Sequence, residues 1–276
     1  MKEVTRYKNE MNTLSIGKWT AEEMNFLFAI LTQVRDEGCK EIKFDTYDLR
    51  EYVKFDPKKP ERWNNTMISV SKKLSQLVYF HTENNIFKAM PLFQEFTVDL
   101  DTQSVIVEVS RKMEYILNKL NIDTGNWTQF EFFEFATLKS VYSKTVYRFL
   151  KQYRKTGFWK VDLEDFRNLL SIPKSYKPTH IDSRVLKPVM TELPSIFKGL
   201  KVHKINHDVE AISFWDMNSL SKKKAPKTGL MTSMITQEKP KMLPLAVELQ
   251  TGITLITKTK PLQKTKKCLK ELSKSL

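Results

Sequence analysis

Apolar residues recur at a helical spacing in two stretches of the first half of the chain. Residues 20–35 place them on one helical face, with Thr20 in the N-cap position and Glu23 three positions on, which predicts a capped helix. A second, longer helix is predicted to begin after Pro60, because the apolar positions there follow the 3.6-residue period. Those positions are Trp63, Met67, Val70, Leu74 and Leu77.

Strand-like patterns separate and follow these helices. KEIKF at 40–44 predicts a short strand, and a short helix is predicted to open at Asp45 or Thr46. Residues 86–109 alternate between apolar and polar side chains, which predicts a β-hairpin. The first half is therefore predicted to run helix, strand, helix, helix, hairpin.

The second half repeats this order. Its predicted elements are helices at 128–138 and 141–157, a strand at 158–162, helices at 163–170 and 179–197, and a hairpin made by LKVHKIN and VEAISFW. Pro188 falls inside the last helix and predicts a kink or a break there.

A short internal repeat supports this duplication. IKFDTYDLREYV at 42–53 matches WKVDLEDFRNLL at 159–170 in its Lys, Asp and Arg positions and in the apolar residues between them. A unit of three helices closed by a hairpin is typical of a winged helix, which places its third helix in the DNA major groove. We therefore predict an α+β protein with two tandem winged-helix domains, at 1–120 and 121–220, and a basic C-terminal tail at 221–276.

The net charge indicates a polyanionic partner. The 276 residues carry 46 Lys and Arg against 32 Asp and Glu, a formal charge of +14. Neutralising phosphates releases counterions, so a basic protein binds duplex DNA without needing sequence contacts. The segment 1–120 is neutral, 121–220 carries +4 and 221–276 carries +10.

Other classes of protein are disfavoured by what the sequence lacks. It has no apolar run long enough for a membrane helix and no signal-peptide core, so we expect a cytoplasmic protein without membrane contact. Its two cysteines form no CxxC motif, and its glycines form no phosphate-binding loop. His203 and His207 lie in a predicted strand and turn with no carboxylate to complete a ligand set. We expect no metal, no cofactor and no catalytic residue.

The long helix of the second unit carries the strongest candidate DNA-binding residues. One face of this helix carries a polar stripe whose members recur at helical spacing: His180, Arg184, Lys187 and Thr191. The segment that leads into the helix adds Lys174, Ser175, Tyr176 and Lys177. Arg184 is a candidate for bidentate recognition of guanine O6 and N7. The alternative is an ordinary solvated helix face.

Two further helices carry candidate residues. The helix after Pro60 has a polar face that consists of Arg62, Asn65, Ser69, Lys72 and Lys73. Asn65 is a candidate for adenine recognition, and a packing or dimer role for this neutral first unit is the alternative. The helix at 141–157 has a basic stripe that consists of Lys144, Arg148, Lys151 and Lys155. No acid interrupts residues 135–161, which favours phosphate contact over an ordinary charged face.

Several motifs in the second half resemble one protein family. These are LKSVYSKTVYRFLKQYRKTG, IPKSY and RVLKP-x-x-x-EL, in that order, with a looser match at RYKNEMNTLSIGKW. Together, over about residues 5–216, they resemble the initiator replication proteins of iteron-type plasmids. The resemblance implies a monomer that binds directly repeated origin sequences, opens the duplex and recruits host DnaA and the replicative helicase. It also implies a homodimer, formed through the first winged helix, that represses its own promoter.

Three functions remain open at this point. The leading one is a non-enzymatic replication initiator that binds duplex DNA. The second is a winged-helix transcriptional repressor, which would prefer a palindrome to direct repeats. The third is a DNA-nicking initiator, although the sequence has no pair of histidines one residue apart. For the tail, a disordered DNA-binding arm, a docking segment and a remnant of a larger domain are the alternatives.

Overall fold

A computed structural model describes residues 1–14, 16, 18–55, 60–118, 125–205 and 211–216. The predicted tail at 221–276 and His207 lie outside the described residues. Within the described ranges, no helix is long and apolar enough to cross a membrane.

The elements of the first half begin with a strand and a 3₁₀ helix. In chain order they are β1 (Val4–Lys8), the 3₁₀ helix Asn9–Thr13, α1 (Ala21–Val34), β2 (Ile42–Asp45), α2 (Thr46–Val53), α3 (Pro60–Leu74), β3 (Val78–Glu83), β4 (Ile86–Pro91), β5 (Phe93–Asp99), β6 (Ser104–Val109) and α4 (Glu114–Leu117). Those of the second half are β7 (Trp127–Glu131), α5 (Phe132–Ala136), α6 (Val141–Gln152), β8 (Phe158–Asp162), α7 (Leu163–Leu169), α8 (Pro178–Ile181), a π-helical turn Asp182–Leu186, α9 (Lys187–Glu192), the 3₁₀ turn Leu193–Ser195, β9 (Leu200–Ile205) and β10 (Ala211–Asp216).

The N-terminus of α1 confirms the predicted cap. The backbone N–H of Glu23 donates to the Thr20 hydroxyl at 3.1 Å, and the backbone N–H of Thr20 donates to the Glu23 carboxylate at 2.7 Å. This reciprocal pair satisfies two backbone donors that a helix start leaves without partners. The helix that follows is buried on most of its surface and forms the centre of the first half.

The internal repeat forms the same local structure twice. In each copy a strand ends in an aspartate and a short helix begins at the next residue, as β2 and α2 and as β8 and α7. Asp45 caps α2 by accepting a hydrogen bond from the Tyr47 backbone N–H at 2.7 Å. Each copy also has an antiparallel three-stranded sheet of equivalent topology, in the orders β2-β6-β5 and β8-β10-β9. The predicted fold of two winged-helix domains is confirmed.

Three predicted elements differ from the structure. The helix predicted at 141–157 is α6, which ends at Gln152. The segment 86–109 was expected to form one hairpin, but β4 pairs with β3 in a separate hairpin, and only β5 and β6 form the hairpin of the winged helix. Residues 128–131, the start of the helix predicted at 128–138, instead belong to β7, which pairs with β1. The physical reason is a partner strand more than a hundred residues away, which the local apolar pattern does not reveal.

Pro188 neither breaks nor ends its helix. The helix instead widens into the π-helical turn Asp182–Leu186, where the Lys187 backbone N–H donates to the Asp182 carbonyl five residues earlier. Such a turn accommodates a proline whose ring and missing N–H disrupt regular α-helical bonding. The buried residues Ile181, Val185, Val189 and Leu193 recur every four residues along this helical segment.

Helix α6 joins the two halves of the fold. It packs against α1 and the 3₁₀ helix of the first half, and against β8 and α9 of the second. Aromatic rings from both halves meet here, with Phe130 lying 5.3 Å from Tyr147 and 6.0 Å from Tyr7 between ring centroids. Residues on both sides of position 120 thus share one core. The division at 120 stays a prediction.

Candidate nucleic-acid interface

The helical segment from α8 to α9 presents a polar surface opposite its buried line. Arg184 and Lys187 are exposed and His180 is half-buried. Residues three or four apart lie on the same face of a helix, and the apolar face of this helix packs into the domain core. Thr191, the fourth residue of the predicted stripe, is also exposed, so all four share one solvent-facing surface.

The segment before α8 is held in a defined turn. The Tyr176 backbone N–H donates to the Pro173 carbonyl at 2.9 Å, and the Arg167 guanidinium donates to the Tyr176 carbonyl at 2.7 Å. Lys174, Ser175 and Lys177 are exposed beside it. The structure thus brings the lead-in residues and the helical stripe together on one edge of the second winged-helix domain.

Arg184 lies against Tyr176 on this surface. Its guanidinium carbon is 5.2 Å from the centre of the tyrosine ring, and Nη1 donates to the tyrosine hydroxyl at 3.5 Å. The ring edge also meets the His180 imidazole, with centroids 5.7 Å apart. The three side chains form a single cluster that we call the tyrosine cluster: Tyr176, His180 and Arg184.

The predicted basic stripe of α6 is wrong for two of its four members, because Lys144 and Arg148 are buried. The Lys144 ammonium donates to the Asn25 side-chain carbonyl and to the Phe135 backbone carbonyl, both at 2.7 Å. Burial lowers the pKa of Lys144 to about 7, and Glu192 opposes this shift. No phosphate can reach an ammonium in this position.

Arg148 has a comparable internal role. Nε donates to the Tyr7 hydroxyl at 3.2 Å and to the Asn12 carbonyl oxygen at 3.1 Å, and Nη2 donates to the Met11 carbonyl at 3.1 Å. The guanidinium also lies 4.9 Å from the Phe28 ring centre. Arg148 therefore binds the N-terminal segment of the chain to α6.

The other two residues of the stripe lie nearer the surface. Lys151 pairs with Glu134 at 2.6 Å and is about one-fifth exposed, whereas Lys155 is exposed. The absence of acids within α6 has a structural explanation, because its cations take their partners from other elements. Lys155 lies beyond the end of α6 and is the exposed member of the predicted stripe, so its contact with DNA stays a prediction.

The predicted polar face of α3 is largely engaged by α1. Arg62 pairs with Glu22 at 2.8 Å, while Lys73 and Ser69 bond to the Glu23 carboxylate at 2.5 and 2.6 Å. Burial raises the pKa of Glu23, but the bonds from Lys73, Ser69 and Thr20 outweigh it and hold this pKa below its usual value. The two remaining candidates on this face, Asn65 and Lys72, are exposed.

The sequence analysis missed a basic surface on the sheet of the second domain. Lys160 lies on β8 and Lys201 and His203 lie on β9, and all three side chains are exposed. Pairing through Ser213 places Lys160 and His203 in one row across the sheet. The signal was the alternation of basic and apolar residues in LKVHKI, since alternate strand residues share a face.

Comparisons with known proteins identify the family. A family described as "Initiator Replication protein, WH1" matches residues 4–151, and one described as "Initiator Rep protein, WH2" matches residues 162–214. The chain belongs to the initiator replication protein family. The first match of this initiator protein ends in α6 and the second begins at the end of β8, so the family's two winged-helix domains coincide with the two copies of the fold.

A relative and a solved structure agree with this assignment. The initiator protein is 30% identical over 205 residues to "Probable replication protein rep" of Bifidobacterium longum (strain NCC 2705), covering 73% of this chain and 68% of the relative. It is also similar in fold to a chain in "Crystal structure of Pi initiator protein in complex with iteron DNA". That match has a TM-score of 0.60 at 14% identity and covers 77% of this chain and 96% of the other.

Proposed function

We propose that this protein is a plasmid replication initiator that binds directly repeated origin sequences, or iterons, in duplex DNA. The observation that carries the proposal is the exposed polar stripe of the α8–α9 helix, with its basic lead-in, in a chain of the initiator family. A helix and lead-in of this kind suit the major groove and its flanking phosphates. The fold similarity to a protein solved with iteron DNA supports the same assignment.

The second winged-helix domain is proposed to supply the main base contacts. Arg184 carries a planar fork of donors that matches guanine O6 and N7. Lys174, Lys177 and Lys187 surround it and suit phosphate oxygens. Lys160, Lys201 and His203 extend this basic surface over the sheet, where the hairpin of a winged helix follows the DNA backbone.

The first winged-helix domain is proposed to form a homodimer in equilibrium with the monomer. Two observations support this role over base recognition. Glu22 and Glu23 engage most of the polar face of α3, and the β3–β4 hairpin exposes Phe80 and Phe87. We propose that the dimer represses the initiator's own promoter, and that the DNA-bound monomer opens the origin and recruits host DnaA and the replicative helicase.

Footprinting of the full-length protein on its own gene and the upstream region, at two salt concentrations, tests this proposal. An initiator should protect several direct repeats at a regular spacing of whole helical turns. A single protected palindrome at the promoter would instead indicate a transcriptional repressor. An initiator that acts without catalysis should also leave a supercoiled origin plasmid uncut in Mg²⁺ or Mn²⁺, whereas a nicked product would indicate a nicking enzyme.

A further inference from the structure

The tyrosine cluster restricts Arg184 before any DNA is bound. A lysine or arginine side chain on an exposed helix ordinarily samples many rotamers, and fixing it on binding costs free energy. Here the Arg184 guanidinium already lies over the Tyr176 ring and donates from Nη1 to its hydroxyl. This bond uses Nη1, so Nε and Nη2 can still donate together to a bidentate acceptor.

Tyr176 is itself held by two neighbouring residues. Arg167 binds its backbone carbonyl at 2.7 Å, and His180 packs against its ring edge. The His180 ring is oriented in turn, because its Nδ1 accepts a hydrogen bond from the Lys177 backbone N–H at 3.3 Å. The platform under Arg184 is therefore part of the folded domain and not a chance contact of two mobile side chains.

We propose that Tyr176 is a positioning residue that holds Arg184 in the orientation needed to recognise a guanine. This inference rests on the proposed function and gives Tyr176 a role in specificity that acts through Arg184. Preorganisation raises affinity because less side-chain freedom is lost on binding, and this gain applies only to DNA that the ordered side chain contacts. Substitution of Tyr176 should therefore affect specific binding more than binding to unrelated DNA.

The test compares full-length variants on three duplexes. These are the duplex protected in the footprint, the same duplex with the guanine whose contact Arg184→Ala abolishes changed to adenine, and an unrelated duplex of equal length. Tyr176→Phe removes the hydroxyl that accepts from Arg184 and keeps the ring. Tyr47→Phe, on an exposed residue of α2, is the matched control.

We expect Tyr176→Phe to weaken binding to the protected duplex about 3- to 10-fold, which is the usual range for one hydrogen bond. Binding of this variant to the other two duplexes, its thermal midpoint and all properties of the Tyr47→Phe control should remain near wild type. In an Arg184→Ala background Tyr176→Phe should have no further effect, because the positioned group is gone.

Two outcomes would overturn the inference. One is a loss that adds fully to that of Arg184→Ala, and the other is an equal loss on all three duplexes, which would indicate a general or phosphate contact. Wild-type protein that fails to distinguish the protected from the unrelated duplex would refute the proposed function itself. That result is distinguishable because it appears before any variant is made.

Discussion

Lys144 and Arg148 show how two cations become interior residues. Transfer of a charge out of water is costly unless hydrogen bonds replace the lost hydration. Arg148 replaces it with three oxygens and an aromatic ring, and Lys144 replaces it with two carbonyls and the Phe135 ring at 4.2 Å. Their spacing on α6 is that of a surface stripe, so the sequence pattern alone does not distinguish the two situations.

Replacing Arg148 by Met should reduce the free energy of unfolding by about 3 kcal/mol, because Tyr7, Asn12 and Met11 would keep buried groups without their donor. Urea denaturation measures this change. Lys174→Met, an exposed substitution, should stay within about 0.5 kcal/mol of wild type. Unchanged stability of Arg148→Met together with weakened DNA binding would restore the phosphate-contact interpretation of this residue.

Lys144 should make the stability depend on pH. An unfolded lysine stays protonated to about pH 10, whereas the folded pKa is lowered to about 7. Between these values the unfolded chain binds more protons, so the free energy of unfolding should rise with pH, by about 2 kcal/mol from pH 7 to 9. Urea denaturation at both pH values should show this rise in wild type and a smaller one in Lys144→Met. Equal rises in the two proteins would contradict the assignment.

At the scale of the element, the sequence predicted the features that depend on interactions between neighbouring residues. The α1 cap, the aspartate that begins α2 and the length of β8 all depend on neighbouring residues, and all were predicted. β7 was not, because its pairing with β1 is a long-range interaction. The same limit applies to α3, whose polar residues follow the predicted period but whose partners on α1 are determined by tertiary packing.

The β3–β4 hairpin should carry the dimer contact. Phe80 and Phe87 stack on it with centroids 5.6 Å apart, and Phe87 is 65% exposed. Phe87→Ser should raise the dimer dissociation constant about tenfold or more in sedimentation equilibrium, as for a central aromatic contact. Tyr47→Ser removes a ring with 67% exposure on α2 and should leave the constant unchanged. Equal effects of the two substitutions would argue against a specific interface.

At the scale of the whole molecule, α6 makes the first winged-helix domain dependent on residues beyond 120. β1 pairs with β7. The rings of Tyr7 and Phe28 pack against Phe130, which in turn packs against Tyr147 of α6. The two domains therefore share a helix rather than a linker. The predicted boundary at 120 would expose this common core.

Two fragments test this arrangement. A fragment of residues 1–157 keeps α6 and should unfold cooperatively in calorimetry. A fragment of residues 1–120 loses β7, α5 and α6, and we expect it to lack a cooperative transition because its aromatic core is uncovered. A cooperative transition in the shorter fragment would support the boundary at 120.

The basic tail should act on affinity rather than on sequence preference. Its charge of +10 over residues 221–276 needs no fold to release counterions from DNA. Deletion of these residues should reduce the slope of log affinity against log salt concentration and leave the ratio of specific to unrelated binding intact. A change in that ratio would favour a structured docking role.

The length of the exposed stripe on the α8–α9 helix limits how much sequence information this helix can take from DNA. From His180 to Lys187 the helix rises only about 10 Å, the length of about three base pairs. A sequence of about three base pairs recurs by chance throughout any replicon. Affinity for one such site cannot distinguish it from the many identical competing sites. In the proposed function the remaining information comes from several identical sites in a row, which links the short length of this helix to an origin built from repeats.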